Sequence, residues 1–202
     1  MFIGFGGFKR SGKDTAAKVL TKEFGFTKIA LADKVREVAY ATNPIIEVDL
    51  DGWNDSYELI RLQELIDAHG WDYCKDNYPE VRRMMQAVGT EGGRNIFGEN
   101  FWIDQLEDSV PDLWLKGSRY VLSDARFSNE GQWVLDWEGN NHYLYEKPKG
   151  HLFWVDRPGL TSDGHASETD ELKGIADLII TNGGTLEEFE EKIRGIAQTL
   201  LS

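Results

Sequence analysis

The apolar run from Met1 to Gly6 passes without a break into Gly7-Phe8-Lys9-Arg10-Ser11-Gly12-Lys13-Asp14-Thr15, and a chain that opens this way is constrained to begin as a buried strand, an anion-sized loop and a helix. Glycines at 7 and 12 let the backbone turn tightly and aim successive N–H groups at one anion, and Lys13 adds a point charge for β- and γ-phosphates. Ala16, Ala17, Val19, Leu20 and Phe24 supply the helical pattern that should follow. The motif is a P-loop with one departure. Asp14 stands where Ser or Thr usually follows the lysine to hold Mg²⁺, and the hydroxyl arrives one residue later, at Thr15. The donor-nucleotide site is therefore expected at Gly7, Lys9, Arg10, Ser11, Gly12, Lys13, Asp14 and Thr15, with Thr15 toward the metal, partly through water. An ordinary glycine-rich strand-to-helix turn fits the spacing alone, but the strand before the loop and the helical pattern after it favour the phosphate reading.

At 202 residues the chain is most simply one domain, or one core carrying inserts. Its single cysteine, Cys74, excludes an internal disulfide and a Cys-rich zinc site, and reads as a packing residue. Histidines at 69, 142, 151 and 165 lack metal-ligand spacing. No apolar run reaches membrane-spanning length and the N-terminus enters the first strand at once, so the expectation is a cytoplasmic protein. A net charge of −13 disfavours general attraction to nucleic acid or to anionic membrane. The distribution runs against that total near the loop. Residues 9–36 hold eight basic groups against three acidic ones, which keeps a phosphate site positive inside an acidic protein, whereas residues 46–67 hold seven acids and one base and read as a solvated face.

Further along, residues 27–31 read as a second strand, 33–41 as a helix ended by Asn43-Pro44, and Ser56 as the opening of a helix that runs to Gly70 with Leu59, Ile60, Leu62, Leu65 and Ile66 on one side. Pro79 starts a helix to about Val88, and residues 100–110 form another. Residues 119–123 read as the third core strand, 129–137 as a helix, 142–145, 151–155 and 177–181 as strands. Thr185 with Glu188 is a capping box for the last helix, to about Leu200. This alternation predicts a mostly parallel α/β sheet covered by helices on both faces, with ligands gathering at the carboxyl ends of the strands.

Asp124 stands at such an end, followed by Arg126, Asn129 and Glu130. An acid there orients Mg²⁺ or its waters in P-loop enzymes, and an arginine beside it binds an acceptor phosphate or offsets charge on the transferred group, although a salt-bridged strand-to-helix turn has the same composition. Lys13, Asp124 and Arg126 are thus the candidate catalytic residues, with Thr15 and Asp124 toward the metal. Arg36, Arg94 and Arg157 are further candidates for an anion clamp, since the planar guanidinium matches phosphate oxygens in pairs. The polar, glycine-bearing stretch 157–168, with Arg157, His165 and Glu168, reads as a lid that would exclude water.

With these residues in view the chain resembles the deoxynucleoside monophosphate kinases of bacteriophages. The likeness rests on Lys9 to Thr15, on Leu31-Ala32-Asp33 with Arg36, on Gln86 with Gly89-Thr90-Glu91 and Arg94, and on Asp124, Arg126-Phe127 and Asn129-Glu130; it continues more weakly through Arg157-Pro158-Gly159, residues 165–168 and residues 176–182. The Lys-x-Thr arrangement also resembles the adenylate-kinase branch of P-loop enzymes, where the one-place shift of the hydroxyl is normal. The resemblance implies a P-loop NTPase core with an NMP-binding insert at about 33–95 and a lid at about 157–168. It places Asp33, Arg36, Gln86, Thr90, Glu91, Arg94, Arg126 and Glu130 at the acceptor site. The implied reaction is Mg²⁺-dependent transfer of the ATP γ-phosphoryl group to a deoxynucleoside 5′-monophosphate. Another small-molecule P-loop kinase, such as one of the phosphomevalonate type with a similar Lys-x-x-Ser-Gly-Lys-Asp loop, and a non-catalytic nucleotide switch remain as other readings of the same loop. The accepted bases, the choice between deoxyribose and ribose, and a homodimer are left open.

Overall fold

The computed structural model describes residues 1–49, 57–110, 113, 117–137, 150–161 and 170–202. They divide into two units, one of residues 1–31 and 103–202, the other of residues 32–102.

The first unit is built on a five-stranded parallel sheet. In chain order its strands are β1 (Phe2–Gly6), β2 (Thr27–Ile29) and, beyond the two strands of the other unit (β3 and β4), β5 (Tyr120–Leu122), β6 (Gly150–Asp156) and β7 (Leu178–Thr181). They lie side by side in the order β2-β5-β1-β6-β7, every neighbouring pair parallel. All five residues of β1 are buried, as a central strand covered on both faces requires. Ile3, Phe5, Phe153 and Val155 point to a core shared with α1 (Lys13–Phe24) and the last helix, α10 (Leu186–Leu201). The alternate residues Gly4 and Gly6 face Val134 of α8 (Ser128–Leu135) and Leu172 of α9 (Glu171–Ile175). The expected capping box is present: Glu188 N–H donates to Thr185 Oγ1 at 3.2 Å and Thr185 N–H donates to Glu188 Oε2 at 2.8 Å. Thr185→Ala is therefore expected to lower stability by about 1 kcal/mol, read as a shifted denaturation midpoint with an unchanged slope.

The second unit contains α2 (Leu31–Thr42, from its second residue), an antiparallel pair β3 (Ile45–Asp49) and β4 (Tyr57–Arg61), and helices α3 (Leu62–His69), α4 (Trp71–Asn77) and α5 (Pro79–Gln86). After α5 the helix widens into a π-helical segment, Ala87–Arg94, and closes with the single turn α6 (Asn95–Phe97). The helix α7 (Phe101–Ser109) begins in this unit and continues into the other. A compact core of Ala39, Ile46, Leu62, Leu65, Cys74 and Val81 holds it. Burial pushes the Cys74 thiol pKa upward, and its S–H donates to Leu65 O, so it packs rather than reacts.

The helix expected from Ser56 is corrected here. Residues 57–61 form β4, which pairs with β3 in the register Ile46↔Ile60 and Glu47↔Leu59. Leu59 is 70 % exposed, which a place on the buried side of a helix does not allow. The helix starts only at Leu62, where the Asn43 side-chain oxygen accepts from Gln63 N–H at 3.0 Å and the Pro44 carbonyl from Leu62 N–H at 3.0 Å. The cap thus comes from the far side of the hairpin. Ser56 itself and the strand expected at 142–145 lie outside the described residues.

Candidate active site

After β1 the chain crosses to the β2 edge, and after β6 it crosses to the β7 edge, so the two connections leave neighbouring central strands in opposite directions and open a crevice at their carboxyl ends. The loop after β1 fills that place. Gly7 and Gly12 have φ of 143° and 118°, and even Arg10 sits at φ 65°, a left-handed conformation that costs a non-glycine residue about 1–2 kcal/mol. A Cβ on Gly7 would stand 2.6 Å from both Ser11 Oγ and the Val155 carbonyl, and one on Gly12 would stand 2.6 Å from Asn182 Nδ2. The loop therefore has no room for a side chain at either glycine and hands directly to the N-terminus of α1 at Lys13. Beside it lies an open cavity of about 280 Å³, lined by residues 10–15 together with Arg157, Asn182, Gly184, Leu186 and Phe189. The Lys13 ammonium donates to the carbonyls of Gly7 and, at 2.8 Å, of Phe8. Ser11 is 1 % exposed, so its hydroxyl is a buried part of the loop wall. Asp14 turns outward to Lys28 at 2.7 Å, while Thr15 lines the cavity.

At the end of β5, Asp124 Oδ1 accepts from the Leu31 N–H at 3.0 Å, which fixes the start of α2. Glu130 is buried, and its Oε2 accepts from the N–H groups of Arg126 and Phe127 at 2.7 and 3.1 Å. This carboxylate shapes the turn that carries Arg126, whose side chain is exposed. Arg157 is exposed and its Nη1 donates to the Arg10 carbonyl at 3.4 Å. His165 and Glu168, the remaining residues assigned to the lid, lie outside the described residues.

The other candidates belong to the second unit. Arg36 pairs with Asp33 at 2.6 Å, and its buried Nε has no hydrogen-bond partner. Gln86, Thr90, Glu91 and Arg94 lie on the continuous helical stretch from α5 through the π-helical segment; Gln86, Thr90 and Arg94 recur every four residues, the spacing that keeps side chains on one side of a helix. Nearby, a hydrogen bond from Arg83 to Glu80 holds the Glu80 carboxyl below its usual range and raises the guanidinium pKa, with the Glu80 and Glu91 charges adding to the latter. Two residues that sequence reasoning passed over hold these segments in shape. Trp102 donates from Nε1 to the Gly89 carbonyl at 2.7 Å, inside the π-helical turn. Asn182 donates from Nδ2 to the Ser11 carbonyl at 2.7 Å; the Asn182-Gly183-Gly184 run signalled only a turn.

The sequence pattern of the deoxynucleotide monophosphate kinase family matches residues 55–193. A putative deoxynucleotide monophosphate kinase of Acanthamoeba polyphaga mimivirus is 28 % identical over 96 % of this chain and 94 % of its own length. The deoxynucleotide monophosphate kinase of Enterobacteria phage T4 is 25 % identical over 98 % of this chain and 99 % of its own. The deoxynucleoside-5′-monophosphate kinase of Escherichia phage T5 is 36 % identical over a shorter match, 62 % of this chain and 46 % of that protein. With a P-loop at the crevice of a parallel sheet and a family match over well over half its length, this chain belongs to the deoxynucleotide monophosphate kinase family of phosphotransferases.

Proposed function

We propose that the chain transfers the γ-phosphoryl group of ATP to the 5′-phosphate of a deoxynucleoside monophosphate, releasing ADP and a deoxynucleoside diphosphate. The observation that carries the donor side is the cavity at the P-loop, lined by residues 10–15 with Lys13 at the N-terminus of α1. Beyond the phosphate end the same cavity reaches Arg157, Gly184 and Leu186, which offer a cation and an apolar surface to a donor base. An oxygen of the acceptor phosphate attacks the γ-phosphorus as the bond to the β–γ bridging oxygen breaks, and ADP leaves. That attacking oxygen is already anionic, so no strong general base is needed; catalysis rests on alignment and on charge placed where the transferred group passes. Lys13 exchanges its two loop carbonyls for phosphate oxygens. Thr15 at the cavity wall and Asp124 at the end of β5 are the residues that would hold Mg²⁺, which binds through few protein ligands and keeps its waters, and which would neutralise phosphate charge when bound.

On the acceptor side, Arg36 and Arg94 are the cations of the second unit and Arg126 that of the first. The orphaned Nε of Arg36 supports a phosphate there, since an oxygen in reach would satisfy a buried donor. Asp33, Gln86, Thr90 and Glu91 are the groups for base and sugar. The lid, 157–168, is proposed to exclude water. Coupled ADP release measured across all common nucleoside and deoxynucleoside monophosphates tests the reading. Turnover with deoxynucleotides is expected; ADP release with none of them sinks it.

Arg126→Lys tests the acceptor assignment. The Glu130 carboxylate pins the backbone here, so the substitution changes only the exposed head group, keeping its charge and losing its fork. The acceptor KM is expected to rise about tenfold, the equivalent of about 1.4 kcal/mol, with a smaller change for ATP. An effect confined to ATP would move this arginine to the donor side.

A further inference from the structure

Asn182 has no part in the reaction drawn above, yet it makes a tightly specified contact with the P-loop across 171 positions of sequence. Its backbone is fixed first. The β6–β7 ladder ends at Asp156↔Thr181, and Asn182 N–H adds one more rung to the Asp156 carbonyl at 2.7 Å. The next residue, Gly183, lies against Pro158, where an added Cβ would stand 3.3 Å from the ring. From this anchored position the carboxamide crosses to the loop and donates to the Ser11 carbonyl at 2.7 Å, resting against the Cα of Gly12 so closely that a side chain there would have no room.

The consequence follows from peptide geometry. In a planar trans peptide the C=O and the following N–H point in opposite directions, so a donor that holds the Ser11 carbonyl on one side turns the Gly12 N–H to the other. Ser11 N–H is committed to the Phe8 carbonyl at 3.1 Å, and the Ser11 hydroxyl is buried without a partner, so neither sets the orientation of the next peptide. The positive φ of Gly12, which borders that peptide, permits it to rotate. We infer that Asn182 is a positioning residue of the donor site: it locks the Ser11–Gly12 peptide in the orientation that presents the Gly12 N–H to the donor phosphates. This rests on the P-loop reading of the same site and extends it to a residue on the wall of the same cavity, distant from the loop in sequence.

Two variants separate this role from a contact with the donor base and from a general structural role. Asn182→Asp is isosteric and replaces the donor by a carboxylate facing a carbonyl; Asn182→Ala removes the group. The probes are inorganic tripolyphosphate, which has no base, and ADP, each titrated calorimetrically, alongside the acceptor KM and the thermal midpoint. Both variants are expected to lose at least about tenfold in affinity for tripolyphosphate and for ADP alike, in line with the loss of a hydrogen bond to a preorganised anion site. The acceptor KM and the thermal midpoint are expected to stay at wild-type values, since an added acid just before the N-terminus of α10 does not oppose its dipole. Unchanged tripolyphosphate affinity with weakened ADP would overturn the inference in favour of base contact. Losses that follow a falling thermal midpoint in both variants would overturn it in favour of simple fold support. Failure of the wild-type protein to bind either probe would instead sink the P-loop reading itself.

Discussion

Lys13→Ala is expected to lower kcat at least about a hundredfold in a protein that still folds, the scale of losing one preorganised charge donor from a transition state. The side chain stands at the first position of α1 and directs its ammonium back to the carbonyls of Gly7 and Phe8. Alanine is the best helix former at that place, so the truncation does not weaken the helix. The loop conformation is held by other means: the Asn182 hydrogen bond, the Ser11 N–H to Phe8 carbonyl bond, and glycines whose φ angles are positive. Circular dichroism and a thermal midpoint near that of the wild type should therefore accompany the loss. Lys13→Arg is expected to fail as well, because a flat five-donor fork does not fit where a compact ammonium reaches between phosphates. Near-normal turnover in a folded Lys13→Ala variant would remove the P-loop from the mechanism.

The loop was legible in the sequence because everything that defines it is local. An apolar run, two glycines and a lysine within thirteen residues specify strand, turn and helix start without help from the rest of the chain. The capping box at Thr185 and Glu188 was legible for the same reason. What escaped depends on partners distant in sequence. Residues 57–61 carry apolar groups at spacings that suit a helix, and only their pairing with residues 45–49 decides for a strand. The burial of Glu130 and its bonds from the N–H groups of Arg126 and Phe127 involve near neighbours, but they appear only once the turn at 126–127 is formed. Asn182 read as part of a turn because its partner, Ser11, lies at the other end of the chain. The π-helical widening at 87–94 has no periodicity that a pattern search would recognise; the helix from Pro79 is expected from the sequence to end at about Val88, whereas Gly89, Gly92 and Gly93 sit within its continuation, with Gly93 against an indole.

That indole makes Gly93 the position where the smallest change should most damage the second unit. Gly93 is buried, and a Cβ there would lie 2.6 Å from Cε2 and Cζ2 of Trp102, closer than two carbons approach without one of them moving. Trp102 has little room to yield. It is 6 % exposed, its Nε1 is tied to the Gly89 carbonyl, and its ring packs edge-on against Phe101 at 4.8 Å between centroids. Moving it forfeits the hydrogen bond that holds the π-helical turn, and overpacking of this kind costs about 1–3 kcal/mol. The strain falls on the segment that carries Gln86, Thr90, Glu91 and Arg94, so Gly93→Ala is expected to raise the acceptor KM at least about tenfold, the kinetic equivalent of about 1.4 kcal/mol. ADP affinity is expected to stay unchanged, because the P-loop belongs to the first unit and rests on that unit's own core. Amide exchange should quicken across residues 79–97 and remain slow in β1 and α1. Trp102→Leu in the Gly93→Ala background, which makes room for the new methyl, should recover part of the acceptor affinity although it removes an aromatic ring. An unchanged acceptor KM in a variant whose 79–97 exchange has quickened would show that this helix does not bind the acceptor, and would leave Arg36 and Arg126 to carry it alone.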